Sequence, residues 1–259
     1  MQRFEGKVAL VTGGTQGMGW SVARALVAEG ASVVICGRDN EKGLRCVEES
    51  GMRDRLMFVQ CDTRSAGQVA DLMGVISTRF GRLDCAFNNA GVTAPRAKLG
   101  QSSISDWQRV IDINVNGTYY CLREELALMA AIGGGAIVNN CSLAGIVAIP
   151  EQAAYVASKF AVAGMTKAAA IEYARAGDGV SAVRVNAIAP GPIEGGMNSE
   201  ANLSQNPEHT RRKLAVTAMQ RFGTQQEVAD TVLWLLSNQA SYMTGAILTL
   251  DGGASAGKF

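Results

Sequence analysis

Short apolar runs rich in β-branched residues recur along the chain, at 7–12 (KVALVT), 32–36 (SVVIC), 56–60 (LMFVQ), 83–87 (LDCAF), 135–140 (GAIVNN), 183–188 (VRVNAI) and 246–250 (AILTL). They are too continuous for strands with one wet face, so they read as strands buried on both sides. Between them the apolar period becomes helical. The stretch 20–30 (WSVARALVAEG) stops at Gly30, 103–129 reads as a long helix, 152–174 as an alanine-rich one, and Thr224-Gln-Gln-Glu227 is a capping box opening VADTVLWLLS. Strand and helix alternate from end to end without repeats or low-complexity linkers. This predicts a single doubly wound α/β domain over 1–259. Residues at about 192–222 are polar and uneven, and predict a substrate lid.

The first strand runs into Gly13-Gly14-Thr15-Gln16-Gly17-Met18-Gly19 and then a helix. Glycines let a pyrophosphate approach the backbone, and a helix N-terminus offers free N–H groups with a partial positive charge. The second strand ends at Gly37-Arg38-Asp39, beside the expected adenosine ribose. Arg38 suits the 2′-phosphate of NADP. Asp39 either pairs with a neighbouring cation or accepts the ribose hydroxyls of NAD. After the third strand, Asp62 of Cys61-Asp62-Thr63 either reaches the adenine amino group or caps the helix that starts near Ser65. Small residues in Asn88-Asn89-Ala90-Gly91 let the chain pass close to a flat cofactor, and Ala189-Pro190-Gly191-Pro192-Ile193 predicts a rigid turn beneath it.

Tyr155 and Lys159 stand four residues apart, on one face of a helix. A cation near a phenol favours the phenolate, so Lys159 is expected to bring Tyr155 into range for proton exchange. Ser142 follows the fifth strand, at the sheet edge where open parallel sheets bind ligands. Asn114, polar within an apolar helical stripe, either bends its helix or holds a water.

Composition narrows the classes. The net charge is +1 and no basic stripe or aromatic platform occurs, which argues against nucleic acid and for small-molecule partners. Six scattered cysteines without a CxxC read as core residues of a reducing compartment, and a single histidine, His209, argues against a zinc site; no metal is expected. The N-terminal apolar run is too short for a signal segment and no membrane-spanning run appears, so a cytoplasmic location is expected.

Together these residues resemble the short-chain dehydrogenase/reductase family over almost the whole chain. Residues 12–19 (TGGTQGMG) look like its TGxxxGxG turn, 88–91 its NNAG segment, and Pro190-Gly191 its PG motif; Asn114, Ser142, Tyr155 and Lys159 fall in the order and spacing of its catalytic tetrad. The resemblance implies a Rossmann-type sheet of about seven strands in the order 3-2-1-4-5-6-7, and ketone–alcohol interconversion with NADP(H) favoured and NAD(H) possible. Tyr155 would be the acid or base, Ser142 would hold the substrate oxygen, Lys159 would bind the nicotinamide ribose and lower the Tyr155 pKa, and Asn114 would hold a water. Cofactor contacts would come from Gly13, Thr15, Gln16, Gly17, Met18 and Gly19, from Arg38, Asp62 and Thr63, from Asn89, Ala90 and Gly91, and from Pro190, Gly191 and Ile193, besides Tyr155 and Lys159.

Two positions depart from the family. Gln16 stands where members preferring NADP carry a cation, and Gly195 near a usual threonine, which leaves nicotinamide anchoring to backbone groups near Ile193. The nearest look is to 3-oxoacyl reductases and secondary-alcohol dehydrogenases. Members are tetramers or dimers, and a homotetramer is expected. The run His209-Thr-Arg211-Arg212-Lys213 reads first as a solvated helix face and second as a dock for an anionic carrier. The alternative function is a cofactor-binding sensor or scaffold without turnover.

Overall fold

The computed structural model describes residues 2–177, 181–196, 198, 204 and 207–257. Seven parallel strands form one sheet: β1 (Val8–Thr12), β2 (Ser32–Gly37), β3 (Leu56–Gln60), β4 (Cys85–Asn88), β5 (Gly135–Asn140), β6 (Val183–Pro190) and β7 (Ile247–Leu250). Their order is β3-β2-β1-β4-β5-β6-β7, as expected. The continuous apolar runs are explained by cover on both faces. Alternate residues enter different cores: Ala9 and Val11 of β1 join one, Val8 and Leu10 the other. The first core is closed by α1 (Gly17–Ala28) through Val22 and Leu26, and by α8 (Gln225–Leu236) through Val228, Val232 and Leu236. The second is closed by α3 (Ala66–Phe80) and α5 (Gly117–Ile132) through Leu72, Ile76, Leu122 and Met129.

The long helix expected at 103–129 is present in three parts. They are α4 (Ile104–Ile111), a π-helical turn (Asp112–Asn116) and α5. Helix α6 (Ala153–Glu172) carries Tyr155 and Lys159. Helix α2 (Asn40–Ser50) buries only Gly43, so its sequence gives little apolar signal. Of the expected lid, 197, 199–203 and 205–206 lie outside the described residues; the described part includes α7 (Pro207–Ala215).

Below the lid, the capping box is formed as expected. Thr224 Oγ1 accepts from Glu227 N (3.1 Å), and the Glu227 carboxylate accepts from Thr224 N (2.7 Å). Residues 192–194 run beside this cap, with Glu194 N donating to Gly223 O and Gly223 N to Pro192 O. Thr224→Ala is expected to cost about 1 kcal/mol, a fall in Tm of roughly 2–4 °C, read by thermal denaturation.

Candidate active site

Strand order reverses between β1 and β4, and at such a switch point the two following connections leave to opposite faces and open a crevice at the carboxyl edge. Thr12, which ends β1, is buried, and its Oγ1 accepts from Asn89 N (2.9 Å) and Ala90 N (3.0 Å). Asn89 Nδ2 donates back to Thr12 O (3.2 Å) and Gly13 O (3.3 Å), while Asn140 Nδ2 donates to Asn89 Oδ1 (3.2 Å). One amide thus ties together the ends of β1, β4 and β5. The glycine turn packs onto it so closely that a Cβ on Gly19 would stand 2.5 Å from Gly13 O and 2.7 Å from Asn89 Nδ2.

These residues fit a dinucleotide. Gln16, the N-cap of α1, makes no side-chain cap hydrogen bond, and no acidic residue occupies the first turn, so the helix end keeps its positive pole. Gly17 adopts φ +56°, and among the described residues a Cβ there would meet Gly196 Cα, at 3.8 Å, which sets the turn beside the 195–196 segment. Arg38 is exposed at the end of β2, its carbonyl bound by Gln60 Nε2 (2.9 Å). Lys42 reaches over from α2 and donates to Gln16 Oε1, bringing a cation to the position where the family's lysine or arginine is missing.

Three expectations at the adenosine end are revised. Asp39 caps α2, accepting from Lys42 N (2.9 Å), and its carboxylate pairs with no cation among the described residues. Asp62 is no cap, since Ser65 caps α3; it is clasped instead by the Arg64 guanidinium (2.5–3.0 Å), which holds its carboxyl below the usual range. Thr63 turns its hydroxyl toward α5, where a Cβ on Gly117 would lie 2.9 Å from it.

The expected tetrad converges on the other side of the edge. Lys159 is 4% exposed; its Nζ donates to Asn140 O (2.7 Å) and lies 5.7 Å from the Tyr155 ring centroid. Burial pushes its pKa down to about 8. The expected lowering of the Tyr155 pKa is corrected: burial holds the phenol above its ordinary value, and the Ser142 hydroxyl pulls against this by hydrogen bonding. Asn114 is fully buried in the π-helical turn. Its Oδ1 accepts from Val92 N (2.8 Å) and its Nδ2 donates to Val92 O (2.9 Å) and Ser158 Oγ (3.0 Å), so of the two expected uses the structure shows the distorted helix. A Cβ on Gly91 would come within 3.3 Å of Asn114 Oδ1 and 3.5 Å of Lys159 Nζ, which joins the two halves of the edge.

The cleft wall had no sequence signal. Residues following Gly91 are held one after another: Val92 by Asn114, Thr93 O by Arg109, Ala94 O by Gln152 Nε2, and Ala97 N by Glu151 O. Each contact is between a backbone group and a partner distant in sequence, which no motif announces. Across the cleft, the Ile193 side chain enters the core, leaving its backbone for any ligand, and Asn198 Nδ2 donates to its carbonyl (2.7 Å). Gly195 adopts φ +76°, a conformation that a β-branched threonine rarely takes. At the close of β6, a Cβ on Gly191 would lie 2.8 Å from Asp251 Cα, so the turn after Pro190 is pressed against the end of β7. Arg212 pairs with Glu208 at the surface, the solvated-face arrangement, whereas Lys213 turns inward onto Asn198 Oδ1 (2.6 Å).

A family model described as Enoyl-(Acyl carrier protein) reductase matches residues 13–255. The chain belongs to the short-chain dehydrogenase/reductase family, within the branch that this description covers. It is 37% identical to a 3beta-hydroxysteroid dehydrogenase of Mediterraneibacter gnavus (98% of this chain, 96% of the relative) and 35% identical to a cyclohexanol dehydrogenase of Acinetobacter sp. (96% and 95%). A solved structure titled "ElxO with NADP Bound" superposes with a TM-score of 0.90 at 32% identity, covering 97% of this chain and 99% of that one. The chain is therefore one of a family of oxidoreductases whose members act on secondary alcohols and ketones.

Ser142 adopts φ 65° and ψ 156°, a region that side chains rarely occupy and that costs about 1–3 kcal/mol. Removing the Cβ relieves this at the expense of some chain entropy; removing the hydroxyl alone does not. Ser142→Gly is expected to be about 1 kcal/mol more stable than Ser142→Ala in urea unfolding, although both lack the hydroxyl.

Proposed function

We propose that this protein interconverts a ketone and a secondary alcohol on a small, ring-bearing substrate, with NADP(H) preferred over NAD(H). The observation that carries the reading is the meeting of Tyr155, Ser142 and Lys159 at the carboxyl edge, beside a glycine turn built for a dinucleotide. The ring follows from the relatives, whose names specify a hydroxysteroid and cyclohexanol.

The nicotinamide, when bound, supplies the chemistry of hydride transfer at its C4. The chain supplies position and protons. Ser142 and Tyr155 present two hydroxyls to the substrate oxygen. A phenol held above its ordinary pKa stays protonated at neutral pH, so Tyr155 is loaded to give its proton to a carbonyl oxygen during reduction. Lys159, anchored on Asn140 O, keeps its ammonium beside that ring and faces the nicotinamide ribose. Asn114 holds the cleft wall through Val92, and backbone groups near Ile193 would hold the carboxamide.

Preference for NADP(H) rests on Arg38, exposed at the end of β2, together with Lys42, which reaches the glycine turn from α2; the two would hold the 2′-phosphate. The domain is the whole chain, with the lid at about 192–222 closing over the substrate. Free thiols at all six cysteines fit a cytoplasmic location. Exposed Trp107 on α4, Tyr119 on α5, and Phe160 and Ile171 on α6 fit a homotetramer built through those helices.

Titration with NADPH and NADH, followed by a panel of cyclic ketones, tests the reading. NADPH is expected to bind tighter, with Arg38→Ala weakening it about tenfold while leaving NADH unchanged. Tyr155→Phe is expected to lower ketone reduction about a thousandfold with dinucleotide affinity retained. Dinucleotide binding without turnover of any ketone or alcohol would favour a sensor instead.

A further inference from the structure

Glu125 lies on α5 with no exposed surface, sealed against the second core by Asn88, the last residue of β4. Asn88 Nδ2 donates to Glu125 Oε2 (2.8 Å) and to Asn139 Oδ1 (3.1 Å), and Asn139 Nδ2 donates onward to Thr166 Oγ1 (2.9 Å). Two side-chain atoms of this layer have no hydrogen-bond partner among the described residues, and they belong to the same pair: Asn88 Oδ1 and Glu125 Oε1. While Glu125 is a carboxylate, both are acceptors, and neither can serve the other. A protonated carboxyl changes this. Its O–H is the donor that Asn88 Oδ1 lacks, and the acid and amide then meet edge to edge through two hydrogen bonds. One proton removes both unpaired acceptors, each of which otherwise bears the full penalty of leaving water unpaired.

We infer that Glu125 is carried as a neutral acid, locked to Asn88 as a two-point acid–amide pair, and is a positioning residue for the Asn88-Asn89-Ala90-Gly91 turn that faces the cofactor. The pair itself follows from the structure alone; the positioning role rests on the function proposed above.

The surroundings offer no competing charge. Helix α5 packs on α3, β4, β5, β6 and the π-helical turn; α3 buries Val69, Leu72, Met73 and Ile76, and Asp112 of the turn is exposed and accepts from the Asn116 amide (3.0 Å). The strands bring Asn88 and Asn139, and the titratable neighbour on α5 itself is Cys121, whose thiol burial pushes well up. Burial raises the Glu125 carboxyl to about 7, and the Asn88 hydrogen bond pulls against it. The folded state thus holds a proton that the unfolded chain gives up near 4.5. This contribution to stability is complete below the unfolded value, falls as pH rises from there to about 7, and is lost above it. Ionisation would also turn the paired acid into a second acceptor facing Asn88, loosening the end of β4.

The full chain, labelled with carboxyl-13C glutamate, tests this by NMR. One glutamate carboxyl should titrate near neutrality and be missing in Glu125→Gln; if every glutamate titrates in the ordinary carboxylate range, the pair does not exist. This titration is decisive on the wild type without any variant. The amide introduced by Glu125→Gln would keep both hydrogen bonds at every pH, so between about pH 5 and 8 the wild-type Tm should fall several degrees relative to the variant. Parallel melting curves would overturn the pair. Fluorescence titration with NADPH should then weaken about fivefold more from pH 6 to 8 in the wild type than in Glu125→Gln, where the Lys159 ammonium still titrates. The same pH dependence in both proteins would overturn the positioning role. Absence of dinucleotide binding at every pH would overturn it together with the proposed function, and the resonance and melting curves tell that case apart from a failed pair.

Discussion

A buried ammonium constrains this active-site edge more than any other group. Lys159 is sealed in the fold, and among the described residues no carboxylate pairs with it. An unpaired buried cation is costly, so its surroundings must supply dipoles and ring faces in place of a counter-charge. The carbonyl of Asn140 accepts one N–H of the ammonium and the Tyr155 ring lies alongside. That arrangement needs β5 to end at Asn140, α6 to set Tyr155 and Lys159 one turn apart, and Gly91 to have no side chain, since a Cβ there would come within 3.5 Å of the ammonium. Gly91 in turn keeps its place because Thr12 and Asn89 fasten β1 to β4. The requirement therefore passes from one side chain to three strand ends.

Much of this was legible in sequence for a physical reason. Strands covered on both faces must be apolar at every position, so the seven runs stand out, and the order of their helices fixes the handed crossovers. Glycines at close approaches are equally legible, because Gly13 and Gly19 admit no substitute. Polar residues were harder. Asp62 at the end of a strand reads alike whether it faces an adenine or an arginine two residues on, and only the fold shows Arg64 clasping it. Glu124 and Glu125 are neighbours with the same chemistry; the first pairs with Arg123 and the second has no contact with water. Helical phase decides between them, and a phase error of one residue exchanges their roles. The spacing of Tyr155 and Lys159 was readable, but the balance of burial against charge that sets their proton affinities is a property of the packed site.

Two buried titratable groups thus lie near the ends of β4 and β5 on the same face of the sheet, Glu125 on α5 and Lys159 on α6. Lys159 lies at the crevice, and its pKa is lowered to about 8; Glu125 lies on the underside of α5 against the second core, and its pKa is raised to about 7. Burial moves each toward its neutral form. Between them run Asn88, Asn139 and Asn140, whose amides and carbonyls serve both. This polar layer threads an otherwise apolar sheet and is fully paired only when Glu125 carries its proton.

The most direct measurement of the central claim is isotope transfer. The protein is incubated with a cyclic ketone and NADPH deuterated at C4 of the nicotinamide, and the product is examined by mass spectrometry and NMR. Deuterium is expected on the carbinol carbon, from one of the two C4 positions only, in one enantiomer of the alcohol. Alcohol without deuterium at that carbon, or no alcohol from any ring ketone despite bound dinucleotide, would contradict hydride transfer at this edge.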